Sequence, residues 1–237
     1  MDIHRHNKKI YWIAGVVLAA VVIAGYFFVP YAKRHYMPVS VDADEAAAME
    51  KIYMGERKVL TVYFTRVGNS DFEEGVDAVS SASLMQDDGA LVGNSQLLAT
   101  MVHNAVGGEV YAIRTEKKYP SAYDDTVSVA KDELDSDENV ALSGTLPELN
   151  QYDTVILIYP VWWGTIPGAV KSFLQSDDLA GKTIYPLATH GGSGAGNSVE
   201  DIRKFCKADV SGEVLEVFDD DVINAAGAVS EWLKSLH

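Results

Sequence analysis

The tetrapeptide Val-Gly-Asn-Ser occurs twice, at residues 67–70 and 92–95. Glycine permits a tight turn, and amides with hydroxyls at the start of a helix are suited to holding an anion. The first copy closes a strand-like run, KVLTVYFTRVGNS, and the second opens a helix-like run, GNSQLLATMVHNAV. Free amides of a helix N-terminus therefore lie with the second copy, so Asn94 and Ser95 make the better phosphate cradle. Thr65 and Arg66 could close its other side. The run lacks the lysine of a P-loop and does not match G-x-G-x-x-G. The bland alternative is a pair of hairpin-like turns bounding an inserted loop.

Two further stretches carry possible chemistry. YPVWWGTIPGAV places Trp162 and Trp163 side by side at a strand end. Successive strand side chains face opposite ways, so both cannot enter one core. One is expected to pack against helices, leaving the other to stack on a planar ring. Pro160, Gly164 and Pro167 shape the turn that follows. In ATHGGSGAGNS, residues His190, Gly191, Gly192 and Gly194 follow a strand, and glycine allows backbone amides to approach a ligand closely. The alternative there is a flexible surface loop. GGSGA falls short of the G-x-S-x-G nucleophile elbow, because Ala195 stands where the last glycine belongs. A hydrolase triad would also need a downstream histidine, and only the terminal His237 follows. No H-x-x-x-H or C-x-x-C spacing occurs, so no metal is expected.

These stretches need a scaffold that brings strand ends together. The pattern from residue 58 alternates strands and helices. VLTVYFT reads as a strand, residues 95–106 as a helix, GGEVYAIRT as a strand and residues 122–134 as an acidic helix. TVILIYP is a continuous apolar run, expected of a central strand covered on both faces. A helix over 166–174, a strand at KTIYPLATH, a helix over 198–207, a strand at EVLEVF and a C-terminal helix complete the series. Five strands alternating with helices predict a doubly wound parallel α/β sheet. Ligands of such sheets bind outside the carboxyl ends of the strands.

The chain has 237 residues, 48% of them hydrophobic, which suffices for one ordinary domain and an anchor. A formal net charge of -15 argues against a nucleic-acid partner and suits partners with a basic docking face. The single cysteine, Cys206, can form no internal disulfide. No charge falls between Lys9 and Lys33, a run long enough for a transmembrane helix over 10–32. Tyr11, Trp12, Tyr26 and Tyr31 flank it. The run is longer than the apolar region of a signal peptide and lacks a good cleavage site, so an uncleaved anchor is favoured. Arg5, Lys8 and Lys9 in the tail 1–9 outnumber Lys33 and Arg34, which puts the domain on the extracytoplasmic side. Residues 33–57 read as a linker, with a short helix at 46–53, and the domain as 58–237 with an insertion at about 71–92.

Taken in order, YFTRVGNS, YPVWWGTIPGAVKSFL and THGGSGAGNSVEDI resemble the flavodoxin-like family, specifically its short-chain bacterial members. The resemblance covers about residues 58–236 and leaves out the anchor. Val67 stands where a hydroxyl is common, and residues 71–92 interrupt the first loop. The resemblance implies a five-stranded sheet in the order 2-1-3-4-5 and a noncovalently bound FMN. Its phosphate would sit at Thr65, Arg66, Asn94 and Ser95. Its ring would lie between the 160–164 and 190–194 loops, with Trp162 or Trp163 stacked on it. The expected function is a membrane-tethered electron carrier serving redox partner proteins or quinones. The alternatives are an FMN-dependent NAD(P)H:quinone-type reductase and a non-redox membrane module that has lost its cofactor.

Overall fold

The structure is a computed structural model and describes residues 42–72, 84–87, 90–136, 139–176 and 179–236. The chain divides into two units, Met1–Met37 and Pro38–His237, and the description that follows is of the second. The expected membrane helix at 10–32 lies outside the described residues. Among those described, no helix is long and apolar enough to cross a membrane.

The main sheet is built from β1 (Val59–Tyr63), β4 (Glu109–Ala112), β5 (Thr154–Pro160), β6 (Thr183–His190), β7 (Asp209–Val210) and β8 (Leu215–Phe218). All its pairings are parallel. The order is β4-β1-β5-β6-β7, and β8 also pairs with β6. This departs from the expected five strands in the order 2-1-3-4-5. One edge of the sheet is shared by two short strands. β7 pairs with Thr183 and Ile184, β8 with Leu187 to His190, and residues 211–214 lie in the gap between them. Two residues of β7 carry too little pattern to read from sequence.

Every residue of β5 is buried, as its unbroken apolar run predicts. Its side chains alternate between two cores. Ile156 and Ile158 face one packed by α2 (Asn94–Val106) and α6 (Ala226–Ser235). Val155, Leu157 and Tyr159 face the other, packed by α4 (Gly168–Ser176) and α5 (Ser198–Phe205). The predicted helices are present with their ends moved by a few residues, and α3 is Tyr123–Asp135. A six-residue 3-10 segment, Asp219–Asn224, precedes α6.

Two features differ from expectation. The inserted segment includes an antiparallel hairpin, β2 (Leu84–Asp87) with β3 (Ala90–Gly93), which runs straight into α2. The residues read as a linker also belong to the fold. After a one-turn helix α1 (Ala43–Ala46), the chain packs Ala47 and Met54 into the core beside α2. The Ile52 amide donates to the Ala105 carbonyl at 2.8 Å, Asn104 donates to the Ala47 carbonyl at 2.8 Å, and Arg57 donates to the Leu236 carbonyl. The helix expected at 46–53 does not form: helix ends at Ala46, and residues 48–54 are irregular chain tied to α2 by these hydrogen bonds.

Candidate functional site

The two Val-Gly-Asn-Ser copies meet around Thr65, at the end of β1, and play different parts. In the first, Asn69 is fully buried. Its amide nitrogen donates to the carbonyls of Thr65 at 2.7 Å and Ile113 at 2.9 Å, and its oxygen accepts from the Thr115 amide at 2.9 Å. That side chain staples the loop after β1 to the chain leaving β4. The loop's outer carbonyls are held by cations: Arg114 donates to Val67 at 2.7 Å and Lys118 to Gly68 at 2.7 Å. In the second copy, Gly93 is the N-cap of α2, and Asn94 and Ser95 are buried in its first turn. A Cβ at Gly93 would lie 2.0 Å from Thr65 Oγ1, so only glycine lets the helix start so near the end of β1. The helix amides thus face the Thr65 corner, where partial positive charge favours an anion.

Beside this corner is a cavity of about 250 Å³. Arg66, Pro160, Trp162, Trp163, Thr189 and Gly191 line it, and Tyr123, Thr126, Val127 and Ala130 of α3 form the facing wall. Of the residues singled out in sequence, Arg66, Pro160, Trp162, Trp163 and Gly191 reach the wall. Gly164, His190, Gly192 and Gly194 stand outside it, and Thr65, Asn94 and Ser95 form the neighbouring helix corner. The α3 wall was missed. It is joined to the site by Arg66, whose guanidinium donates to the carbonyls of Pro120 at 2.9 Å and Ser121 at 2.6 Å, just ahead of α3. Backbone carbonyls leave no trace in sequence, so this bridge had no signal.

The paired tryptophans divide as strand geometry requires. Trp162 packs edge-on against Phe64 and Tyr119, with ring centroids 5.4 and 5.3 Å away. Trp163 is 53% exposed. Its indole N–H donates to the Val127 carbonyl at 3.1 Å, spanning from the β5 loop to α3. The turn that presents it is tight: Trp162 and Thr165 exchange backbone hydrogen bonds at 2.9 and 3.0 Å. Both central residues have positive φ, 52° at Trp163 and 77° at Gly164, the signature of a type I′ turn. Behind Trp162, the Tyr119 hydroxyl donates to the Glu133 carboxylate at 3.1 Å. Burial holds the Glu133 carboxyl above its ordinary range, and the Tyr119 hydrogen bond and nearby Lys117 oppose that shift.

On the far side, the glycine-rich loop is held by its own contacts. Gly192 donates its amide to His190 Nδ1 at 3.0 Å, and the Ala195 amide donates to Glu216 at 2.9 Å. Thr189 is fully buried, lines the cavity, and its hydroxyl has no partner among the described residues. An unsatisfied hydroxyl costs roughly 1–3 kcal/mol unless a ligand meets it. The arrangement fits a planar aromatic ligand between Trp163 and the Thr189–Gly191 segment, with an anionic tail toward the amides of α2.

The family model for flavodoxin matches residues 89–234, more than half of the chain. The chain belongs to the flavodoxin family. Among solved structures, the chain is similar to a protein named as a putative flavoprotein from Bacteroides uniformis ATCC 8492, at 26% identity and TM-score 0.55, over 76% of this chain and 100% of that one. A second such protein, from Bacteroides eggerthii DSM 20697, matches at 22% identity and TM-score 0.51, over 74% and 99%. A flavoprotein in complex with FMN from Lactobacillus acidophilus NCFM matches at 14% identity and TM-score 0.49, over 72% and 99%. None of the curated proteins matches significantly. The family match begins at residue 89, just before β3, and so takes in the second Val-Gly-Asn-Ser copy but not the first.

Proposed function

We propose that this flavodoxin holds FMN noncovalently in the cavity and carries electrons between partners. The observation that carries the reading is the cavity itself: an exposed indole on one side, the buried hydroxyl of Thr189 on the other, and helix amides at the adjoining corner. Trp163 offers its face to the ring, while Trp162 is committed edge-on to Phe64 and Tyr119. Asn94, Ser95 and the amides that follow them hold the phosphate, with Thr65 and Arg66 alongside. The first Val-Gly-Asn-Ser copy braces that corner through Asn69 rather than touching the anion. FMN supplies the redox chemistry, and the protein supplies position and electrostatics.

The carrier is tethered to a bacterial membrane by the apolar run at 10–32, with the domain on the extracytoplasmic side, as the flanking charges favour. Its partners are quinones or redox proteins with basic docking faces, steered by the net charge of -15. Titrating the purified protein with FMN tests the cofactor reading. Quenching of FMN fluorescence with micromolar affinity is expected, and a protein that stays colourless in FMN would favour the module without cofactor. The acidic surround disfavours added negative charge, so the bound midpoint potential should lie below that of free FMN. A redox titration giving a midpoint well above it would overturn that electrostatic argument. Steady-state oxidation of NAD(P)H by the purified protein would favour the reductase over the carrier. Protease accessibility in intact cells reports the side of the membrane.

A further inference from the structure

Resting on the FMN reading, we infer that Tyr159, Thr165, Ser198 and Asp201 are positioning residues for the flavin ring, though none of them contacts the ring face of the cavity. All four come from the two long sequence motifs, and the structure pairs them across those motifs. β5 and β6 run side by side as far as Pro160 and Thr189. Beyond that point the loops would be free to part. They are instead joined twice by backbone: the Val161 amide donates to the Thr189 carbonyl at 2.8 Å, and the Asn197 amide to the Gly164 carbonyl at 2.8 Å. The second joint needs Gly196, where a Cβ would lie 2.2 Å from the Gly164 oxygen.

Two side-chain pairs lock these joints. The hydroxyls of Tyr159 and Ser198 meet at 2.9 Å with both residues fully buried. The Thr165 hydroxyl donates to the Asp201 carboxylate. Thr165 is also the residue that closes the Trp163 turn through both of its backbone bonds to Trp162. The seam therefore fixes the first turn of α5, and with it the Gly191 loop, against the turn that carries Trp163. The Trp163 and Gly191 loops cannot part from each other without breaking it.

Stability alone does not explain the seam. For the Tyr159–Ser198 pair, replacing both partners of a buried neutral hydrogen bond by apolar groups of like shape is close to neutral, whereas a directional bond fixes geometry. Cavity width matters for a flat ring clasped between two loops, because the ring is gripped only at contact distance.

The test uses the full chain in detergent, with Kd for FMN and for riboflavin measured by fluorescence quenching. Tm of the protein without flavin and visible circular dichroism of the bound flavin are recorded alongside. The variants are Tyr159→Phe with Ser198→Ala, and Thr165→Val with Asp201→Asn. Each pair should raise both Kd values by about tenfold, leaving the FMN-to-riboflavin ratio unchanged, and alter the dichroism of the bound ring. Thr165→Ser, which keeps the hydroxyl, should bind as the unsubstituted protein does. A lowered Tm with both Kd values within twofold of the unsubstituted protein would overturn the inference and leave the pairs merely structural. If a double variant does not fold, Tyr159→Phe alone, which removes one oxygen, should raise both Kd values about threefold, and no change would count against the seam equally. Failure of the unsubstituted protein to bind either flavin would sink the FMN reading and this inference with it. Normal binding with indifferent variants sinks the inference only.

Discussion

Trp163 is the residue at which local preference and function disagree most openly. A left-handed conformation costs a residue with a Cβ roughly 1–2 kcal/mol, and such strain gathers at ligand sites. Here the strain aims an indole at a cavity where Gly or Asn would make the same turn at less cost. Trp163→Gly relieves the strain but gives up the hydrogen bond to Val127, worth about 1 kcal/mol. Stability by urea denaturation should therefore change by no more than about 1 kcal/mol, while FMN affinity falls about tenfold with the lost stacking face. Glu133 is a second residue under tension, since burial raises its carboxyl pKa. A carboxyl whose pKa is higher folded than unfolded favours the folded state at low pH, and that contribution is lost as pH rises through the folded value. Glu133→Gln keeps an acceptor for Tyr119 without the charge. Its Tm relative to the unsubstituted protein should be most favourable at pH 8 and lose that advantage as pH falls toward 4. A Tm difference constant with pH would show that Glu133 does not titrate against the fold.

At the scale of elements, the hairpin β2–β3 explains why one turn sequence appears twice. It separates β1 from α2 and then returns the chain to the same corner, so each end needs its own turn. Placing a methyl at Gly93 would collide with Thr65 and push α2 away from β1. Gly93→Ala should thus weaken FMN more than riboflavin, by about tenfold in the ratio of their Kd values, because only FMN carries the phosphate. Equal weakening of both would place the phosphate elsewhere. Much of this architecture was legible beforehand. The apolar run of β5, the periodicity of α2 and the glycine-bearing strand ends each declare themselves within a dozen residues. What stayed hidden depends on contacts between distant segments. The α3 side of the cavity reads in sequence only as an acidic helix, and its place in the site is set by Arg66 reaching the Pro120 and Ser121 carbonyls. The part played by Asn69 was hidden for the same reason: nothing local announces that its amide is spent on Thr65, Ile113 and Thr115.

For the whole molecule, the folded unit is longer than the repeating strand–helix pattern suggests. Ala47, Met54 and neighbouring Ile52 cover α2, although a charge-rich, Ala-rich stretch gives no periodic signal of burial. A piece beginning at residue 58 should be less stable than one beginning at residue 38 by roughly 2–4 kcal/mol, the scale of one buried methionine with a buried methyl group beside it. Urea denaturation of the two pieces measures the difference, and equal midpoints with equal slopes would show that the segment is dispensable. The joined ends of β5 and β6 have a practical corollary. Chimeras that graft one of these loops from a relative would bring in half of a lock without its key, so transplants should succeed only when both loops travel together, with the start of α5, as a matched set.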